Sequence, residues 1–147
     1  MTARTGPFWD GVEGRAPLPR AAATLGLEVL AVDPDSGTIE LAFTATEAWT
    51  NPSGNVLGAF VAAMLYDTVG PALLATVEPD QFQSTLQLSV TFLRPVRPGR
   101  LIGKGRVLHR HDDVAALEAT LFDGESAVAT AAATALVIPL AAARSAV

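Results

Sequence analysis

The pattern of apolar and polar positions divides the chain into two strands, one long apolar helix and four further strands. Residues 27–32 and 38–44 predict the first two strands, joined by the turn sequence Asp-Pro-Asp-Ser-Gly at 33–37. Residues 56–77 are almost continuously apolar and predict a helix that is buried on all sides. The remaining strands are predicted over residues 84–93, 101–109, 114–122 and 126–138.

This order of elements favours an α+β protein with the hotdog fold. In that architecture a curved antiparallel sheet wraps one long apolar helix, which covers the helix on nearly every side. At 147 residues the chain fits a single hotdog domain, with its core over residues 25–138 and an N-terminal helical segment over residues 1–24. Within the third strand, alternation places Leu86, Leu88, Val90 and Phe92 on one face.

Composition narrows the classes of function. The chain has no cysteine, so disulfides, zinc–thiolate sites and cysteine nucleophiles are excluded. Asp67 and the Gly70-Pro71 break argue against a membrane span in the apolar stretch. The first fifteen residues lack the apolar core of a signal peptide, so a cytoplasmic location is expected. A net charge of −5 argues against general nucleic-acid binding.

Basic residues are nevertheless concentrated in one part of the chain. Six of the ten lie between positions 94 and 110, with no acidic residue among them: Arg94, Arg97, Arg100, Lys104, Arg106 and Arg110. Such a patch indicates a phosphorylated small-molecule ligand, or else an exposed strand edge protected against aggregation. The sequence does not separate these two interpretations. His109 and His111 have the spacing of metal ligands, but a polar hairpin tip is the commoner meaning, and no metal site is expected.

Asp67 is the most informative single residue, because it lies in the most hydrophobic helix of the chain. A buried, ionised carboxylate costs several kcal/mol unless it has a partner. The turn before this helix is rich in Asn and Gly, and the first amides of a helix have no internal acceptor. Together these features predict a functional site on the helix.

The sequence around this helix resembles the hotdog-fold acyl-CoA thioesterases of the phenylacetic-acid-degradation (PaaI) type. The resemblance is carried by N-P-S-G-N-V-L-G-A-F-V-A-A-M-L-Y-D at residues 51–67 and by T-L-Q-L-S-V-T-F-L-R-P-V-R-P-G at residues 85–99. It implies hydrolysis of a CoA thioester with an aryl or medium-chain acyl group. It also implies a homodimer or homotetramer with the active site in a cleft between subunits, and no cofactor beyond the CoA of the substrate.

The resemblance also implies roles for individual residues. The amide of Gly58, with that of Ala59, would bind the thioester oxygen, which a helix N-terminus is suited to stabilise as it becomes an oxyanion. Asn51 would orient the thioester, and Asp67, about two turns along the helix, would activate water with help from Tyr66. The candidates for the CoA phosphates are Arg94, Arg97, Arg100 and Lys104.

Three departures from the family pattern bear on this assignment. The motif His is Leu57, the second Gly is Ala59, and the position of the family's Asp is Tyr66. Asp67 follows one residue later, a rotation of about 100° around a regular helix. The spacing therefore places Tyr66 on a stripe of small residues and Asp67 on a more tightly packed face.

Pro71 complicates that picture, because it removes the hydrogen bond to the carbonyl of Asp67, and a kink or π-bulge would turn Asp67 toward the cleft. Asp67 is thus either a displaced catalytic carboxylate or a structural acid, and Tyr66 either a hydrogen-bond donor or a plug. The alternative to a thioesterase is a hotdog protein that binds acyl-CoA or an aromatic ligand without hydrolysis.

Overall fold

The computed structural model describes residues 4–145, so the first three residues of the predicted N-terminal segment and the last two of the domain lie outside it. Within that range the helices are α1 (Pro7–Val12), α2 (Arg20–Thr24) and α3 (Gly58–Leu74). The strands are β1 (Glu28–Asp33), β2 (Thr38–Ala45), β3 (Gln81–Phe92), β4 (Gly99–His111), β5 (Val114–Asp123) and β6 (Ser126–Pro139). Short 3₁₀ turns at Glu47–Trp49 and Leu140–Ser145 were not predicted; the first lies between β2 and α3.

The six strands form one antiparallel sheet in the order β1-β2-β4-β5-β6-β3. Tight turns join β1 to β2, β4 to β5 and β5 to β6, while α3 carries the chain from β2 to the far edge, where β3 pairs with β6. Gly37 closes the first of these turns with φ of 67°, a conformation that favours glycine. The edges of the sheet are therefore β1 and β3.

Helix α3 fills the concave side of the sheet and packs against β2, β3, β4, β5 and β6. Its buried positions include Met64, Leu65 and Leu73, each fully enclosed, and burying such a side chain contributes roughly 1.5–3 kcal/mol. Because one curved antiparallel sheet surrounds one long apolar helix, the predicted α+β hotdog architecture is confirmed.

The close approach of helix and sheet depends on two glycines of β4. A Cβ at Gly103 would lie 2.6 Å from the hydroxyl oxygen of Thr68, and one at Gly105 would lie 2.9 Å from the methyl carbon of the same residue. Thr68 is fully buried and donates its hydroxyl to the carbonyl of Met64 at 2.7 Å. Any larger residue on this part of β4 would push the helix away from the sheet.

Strand β3 differs from the predicted alternation at Leu86. The register slips between Thr85 and Gln87, so a β-bulge interrupts the pairing with β6. Leu86, predicted to share the apolar face of the strand with Leu88, Val90 and Phe92, is 59% exposed, whereas Gln83 and Thr85 are buried. The prediction for Leu86 was wrong because the bulge shifts which positions of β3 face the core.

Helix α3 runs without interruption through Pro71, and every position from Gly58 to Leu74 is α-helical. The π-bulge considered as a way to turn Asp67 is therefore absent from this helix. Among the described residues, no helix is long and apolar enough to cross a membrane.

Candidate active site

The start of α3 is held in place by backbone hydrogen bonds from the residues that precede it. The amide of Val56 donates to the carbonyl of Val96 at 2.7 Å, and the amide of Leu57 donates to the carbonyl of Trp49 at 2.8 Å. Trp49 is buried and stacks on Phe60 with ring centroids 4.9 Å apart. These contacts tie the helix start to the loop before β4 and to the loop after β2.

The first amides of α3 have no capping side chain. Leu57 occupies the N-cap position and offers no side-chain acceptor. The carbonyl of Leu57 receives hydrogen bonds from the third and fourth helical amides, those of Phe60 at 2.9 Å and Val61 at 3.3 Å. Gly58 and Ala59 therefore present the amides that a ligand oxygen would meet first.

Space above Gly58 is limited by Phe92 of β3. A Cβ at Gly58 would lie 3.2 Å from the ring of Phe92, although that ring is itself 56% exposed. Because residue 58 is glycine, a ligand can reach the first amides of α3 past the edge of the Phe92 ring.

Asn51 organises the turn before the helix. Its side-chain oxygen accepts hydrogen bonds from the amides of Ser53, at 3.0 Å, and Asn55, at 3.2 Å. The Nδ2 group of Asn51 is thus the part of the side chain left for a ligand. The side-chain oxygen of Asn55 is sealed from solvent and has no hydrogen-bond partner among the described residues, so this turn contains one unsatisfied acceptor.

Asp67 lies nine residues further along α3 and is largely buried. Burial raises the pKa of its carboxyl group to about 6, because the ionised form loses hydration. No hydrogen bond or ion pair to Asp67 is found among the described residues. An unpartnered carboxylate with a raised pKa is typical of a functional group rather than of a structural one.

Asp67 lines a cavity of about 680 Å³ between the open face of α3 and the N-terminal segment. The walls are mainly apolar and include Phe8, Trp9, Leu18, Val29, Leu41 and Phe82. Tyr66 also lines this cavity and is 37% exposed. The sequence interpretation gave the N-terminal segment no part in the site. The only sign in the sequence that this segment covers a cavity is the pair of adjacent aromatic residues, Phe8 and Trp9, in α1.

Gln83 is a second cavity residue that sequence reasoning missed. Its side chain is 7% exposed and lines the same cavity as Asp67. The sequence pattern does not predict that Gln83 is buried, because of the bulge at Leu86. If the alternation seen at Leu88 and Val90 continued unbroken toward the start of β3, Gln83 would face outward.

The helix start and Asp67 do not meet within one chain. Nine residues of α-helix separate Gly58 from Asp67, which corresponds to about 13 Å along the axis. Neither Gly58, Ala59 nor Asn51 lines the cavity that contains Asp67. Within a single subunit, Asp67 is therefore not placed to reach a thioester held at Gly58.

The four candidates for the CoA phosphates are not brought together either. Arg94 and Arg97 are exposed in the loop that is bonded to the helix start through Val96. Arg100 forms an ion pair with Glu28 at 3.1 Å. Lys104 lies four residues further along β4, about 13 Å away, and its ammonium group is 5.4 Å from the ring centre of Phe122.

The histidine pair shows no sign of a metal site. His111 lies 3.5 Å from Asp112, and both side chains are more than 80% exposed at the β4–β5 turn. Within residues 4–145, no three side chains suited to metal binding cluster together.

The comparisons with known proteins address the family directly. Residues 53–130 match the family model described as the Thioesterase superfamily. The phenylacetic acid degradation-related protein of Ralstonia eutropha JMP134 is 39% identical, with a TM-score of 0.86 over 88% of this chain and 98% of that one. No curated protein is detectably similar in sequence.

More distant structures share the fold. A thioesterase family protein of Silicibacter pomeroyi is 23% identical, with a TM-score of 0.79 over 90% of this chain and 99% of that chain. The PaaI protein of the E. coli phenylacetic acid degradation operon is 16% identical, with a TM-score of 0.78 over 89% and 93%. With the matched family model and the hotdog architecture, these findings mean that the chain is a PaaI-type member of the Thioesterase superfamily.

Proposed function

We propose that this protein hydrolyses acyl-CoA thioesters as a homodimer, with each active site formed by Gly58 and Ala59 of one subunit and Asp67 of the partner subunit. The observation that carries the proposal is Asp67 itself. In a thioesterase-superfamily chain, this unpartnered carboxylate lines an apolar cavity that is large enough for an acyl group.

The chemistry follows from the state of Asp67. With a pKa of about 6, the carboxyl group is mostly ionised at neutral pH, yet it is a better proton acceptor than an ordinary aspartate. Asp67 takes a proton from water as the water oxygen attacks the acyl carbon. The carbonyl electrons move to oxygen, where the amides of Gly58 and Ala59 stabilise the negative charge. When the carbonyl re-forms, the C–S bond breaks and CoA leaves as the thiolate.

A second subunit resolves the separation of about 13 Å between the two halves of the site. If two copies of α3 lie antiparallel about a two-fold axis, the helix start of one faces Asp67 of the other. The midpoint between Gly58 and Asp67 falls at Ala62 and Ala63, which are both partly exposed. Their small side chains let two helices approach closely.

The surface around β3 supports this pairing. β3 is an open sheet edge, and unpaired strand edges readily add another strand. The large apolar residues at this edge and beside the helix start are 45–59% exposed: Leu57, Leu86, Phe92 and Leu93. An apolar patch next to an open edge is suited to a second copy of the same chain. Whether dimers pair further into tetramers stays a prediction.

The CoA moiety would lie along the mouth of the cleft. Arg94 and Arg97 are the candidates that we retain for its phosphates, because they are exposed and form no ion pair among the described residues. Arg100 is already paired with Glu28, and Lys104 points outward from β4. The Nδ2 group of Asn51 would donate to the thioester or to the CoA amide chain.

The proposal is tested with purified protein and a panel of aryl-CoA and medium-chain acyl-CoA thioesters. Release of free thiol and equilibrium binding are recorded for each compound. Thiol release with saturation supports the thioesterase. Saturable binding without release identifies a binding protein. A protein that neither releases thiol nor binds any of these compounds would contradict a role for CoA. A cytoplasmic location stays a prediction from the sequence.

A further inference from the structure

The amide of Gln83 lies in an unusual position for a glutamine. It belongs to the part of β3 before the bulge, it is 7% exposed, and it faces the cavity that contains Asp67. The nearby cavity walls, including Leu41, Leu74 and Phe82, are apolar. A primary amide in such surroundings has lost most of its contact with water, and this loss is unfavourable unless both ends of the amide find partners.

One end of this amide has a partner. The hydroxyl of Thr85 donates to the side-chain oxygen of Gln83 at 3.1 Å. This bond fixes the orientation of the amide and turns its NH₂ group toward α3. There Nε2 lies 2.8 Å from the point where a Cβ of residue 70 would sit, so glycine at position 70 lets the amide lie against the helix in this orientation.

The other end of the amide is free. No hydrogen bond from Nε2 to another described residue is found. The single polar side-chain atom in residues 4–145 that is both sealed from solvent and unpartnered is the oxygen of Asn55. Nε2 of Gln83 is therefore open to the cavity that the residue lines. It is a fixed, unused hydrogen-bond donor directed at whatever the cavity holds.

The position of this donor relative to Asp67 defines its role. Asp67 and Gly70 are three residues apart on a helix, so they are neighbours about 5–6 Å apart on its surface. Nε2 lies against Gly70, and an acyl group attached to a carbonyl carbon beside Asp67 would pass it within its first few atoms.

We propose that Gln83 is a specificity-determining residue of this cavity, which takes an apolar acyl group that carries one hydrogen-bond-accepting oxygen close to the thioester end. The inference rests on the proposed function, since it assigns the acyl group to the cavity beside Asp67. An acyl chain with an ether or carbonyl oxygen at the right place satisfies Nε2, whereas a plain hydrocarbon leaves the donor buried and unpaired.

An oxygen scan tests this assignment. Heptanoyl-CoA is compared with four analogues in which one methylene, at position 3, 4, 5 or 6, is replaced by an ether oxygen. For each analogue, kcat/KM is divided by that for heptanoyl-CoA. The same ratios are measured for Gln83→Met, which keeps the length of the side chain and removes the amide. Gln87→Met, a change at an exposed glutamine of the same strand, is the control.

The expected result is one analogue whose ratio falls by roughly 5- to 100-fold in Gln83→Met, the equivalent of about 1 to 3 kcal/mol for an unpaired buried donor. Gln87→Met should match the unmodified protein. Thr85→Val, which releases the amide from its fixed orientation, should lower the same ratio by a smaller factor and serves as the second variant if Gln83→Met does not fold. Unchanged ratios at all four positions in a folded variant would overturn the inference.

Binding separates this inference from the proposed function. The non-hydrolysable S-heptyl-CoA and its ether analogues are titrated by calorimetry. If no thioester is hydrolysed, the proposed function fails, but a selective loss of affinity for one ether analogue in Gln83→Met would still support the role of Gln83. If thiol is released and neither kinetic nor binding ratios change, Gln83 has no such role. If the analogues do not bind at all, the cavity is not an acyl site and the inference falls.

Discussion

Replacing Asp67 by asparagine should make the protein more stable at neutral pH while it removes hydrolysis. The pKa of Asp67 is about 6 in the folded chain, compared with 3.8 for an unperturbed aspartate side chain. Two pKa units, at about 1.4 kcal/mol each, correspond to a cost of about 3 kcal/mol for keeping this carboxylate ionised and buried. Asparagine has nearly the same shape and no charge.

The sign of the effect depends on pH. Because the folded protein holds this proton more tightly than the unfolded chain, the stability contributed by Asp67 is greatest below about pH 4 and is lost as the pH rises to about 6. The free energy of unfolding of Asp67→Asn should therefore exceed that of the unmodified protein by about 2 to 3 kcal/mol at pH 7.5. The difference should shrink toward zero at pH 4, where the carboxyl group is neutral in both states.

Urea unfolding at matched protein concentration measures this difference, and the concentration must match because dimerisation adds to apparent stability. Asp80→Asn, a change at an exposed carboxylate, is the control and should shift stability little. In the same samples, thiol release should fall about 10²- to 10⁴-fold for Asp67→Asn alone. The assignment of Asp67 as a desolvated, unpartnered base would be refuted if the two proteins had the same free energy of unfolding at pH 7.5. It would also be refuted if the gain in stability were as large at pH 4 as at pH 7.5.

Three further outcomes follow from the same structure. The value of kcat/KM should rise with pH through about 6 and then level off, because Asp67 must be ionised to accept a proton; a flat profile from pH 5 to 8 would contradict this. The double variant Arg94→Ala/Arg97→Ala should raise KM several-fold for acyl-CoA but not for an acyl thioester of N-acetylcysteamine, which lacks phosphates. The control Arg106→Ala, which breaks a pair with Glu118, should leave KM unchanged for both substrates. Leu86→Lys at the β3 edge should give monomers by analytical ultracentrifugation and abolish activity; an active monomer would exclude the shared site.

Most of the fold is readable from the sequence because its elements have unmistakable periods. The helix is apolar on nearly every side and therefore has to be surrounded, and the strands that follow alternate between apolar and polar residues. Where the pattern fails, at Leu86, the cause is a bulge. An extra residue in one strand depends on the register with its neighbour, which no local pattern records.

The site was less predictable because its parts come together only in three dimensions. The candidates Asp67 and Gly58 follow from the motif, but their separation depends on helix length, and part of the wall around Asp67 comes from the distant N-terminal segment, including Phe8 and Trp9. Helical spacing placed Asp67 on a packed face. The structure shows instead that this face borders the cavity, because the N-terminal segment covers it without filling the space beneath.

The sharing of each active site between two subunits is tested most directly by complementation. Asp67→Asn and Gly58→Val are each expected to be nearly inactive, the second because a side chain at residue 58 meets Phe92 and blocks the helix start. Mixed in equal amounts after reversible dissociation, they should form hybrid dimers with one intact site and recover about a quarter of the unmodified activity, as random pairing of protomers predicts. If the mixture of folded, exchanged dimers stays as inactive as its components, Gly58 and Asp67 do not act across the interface.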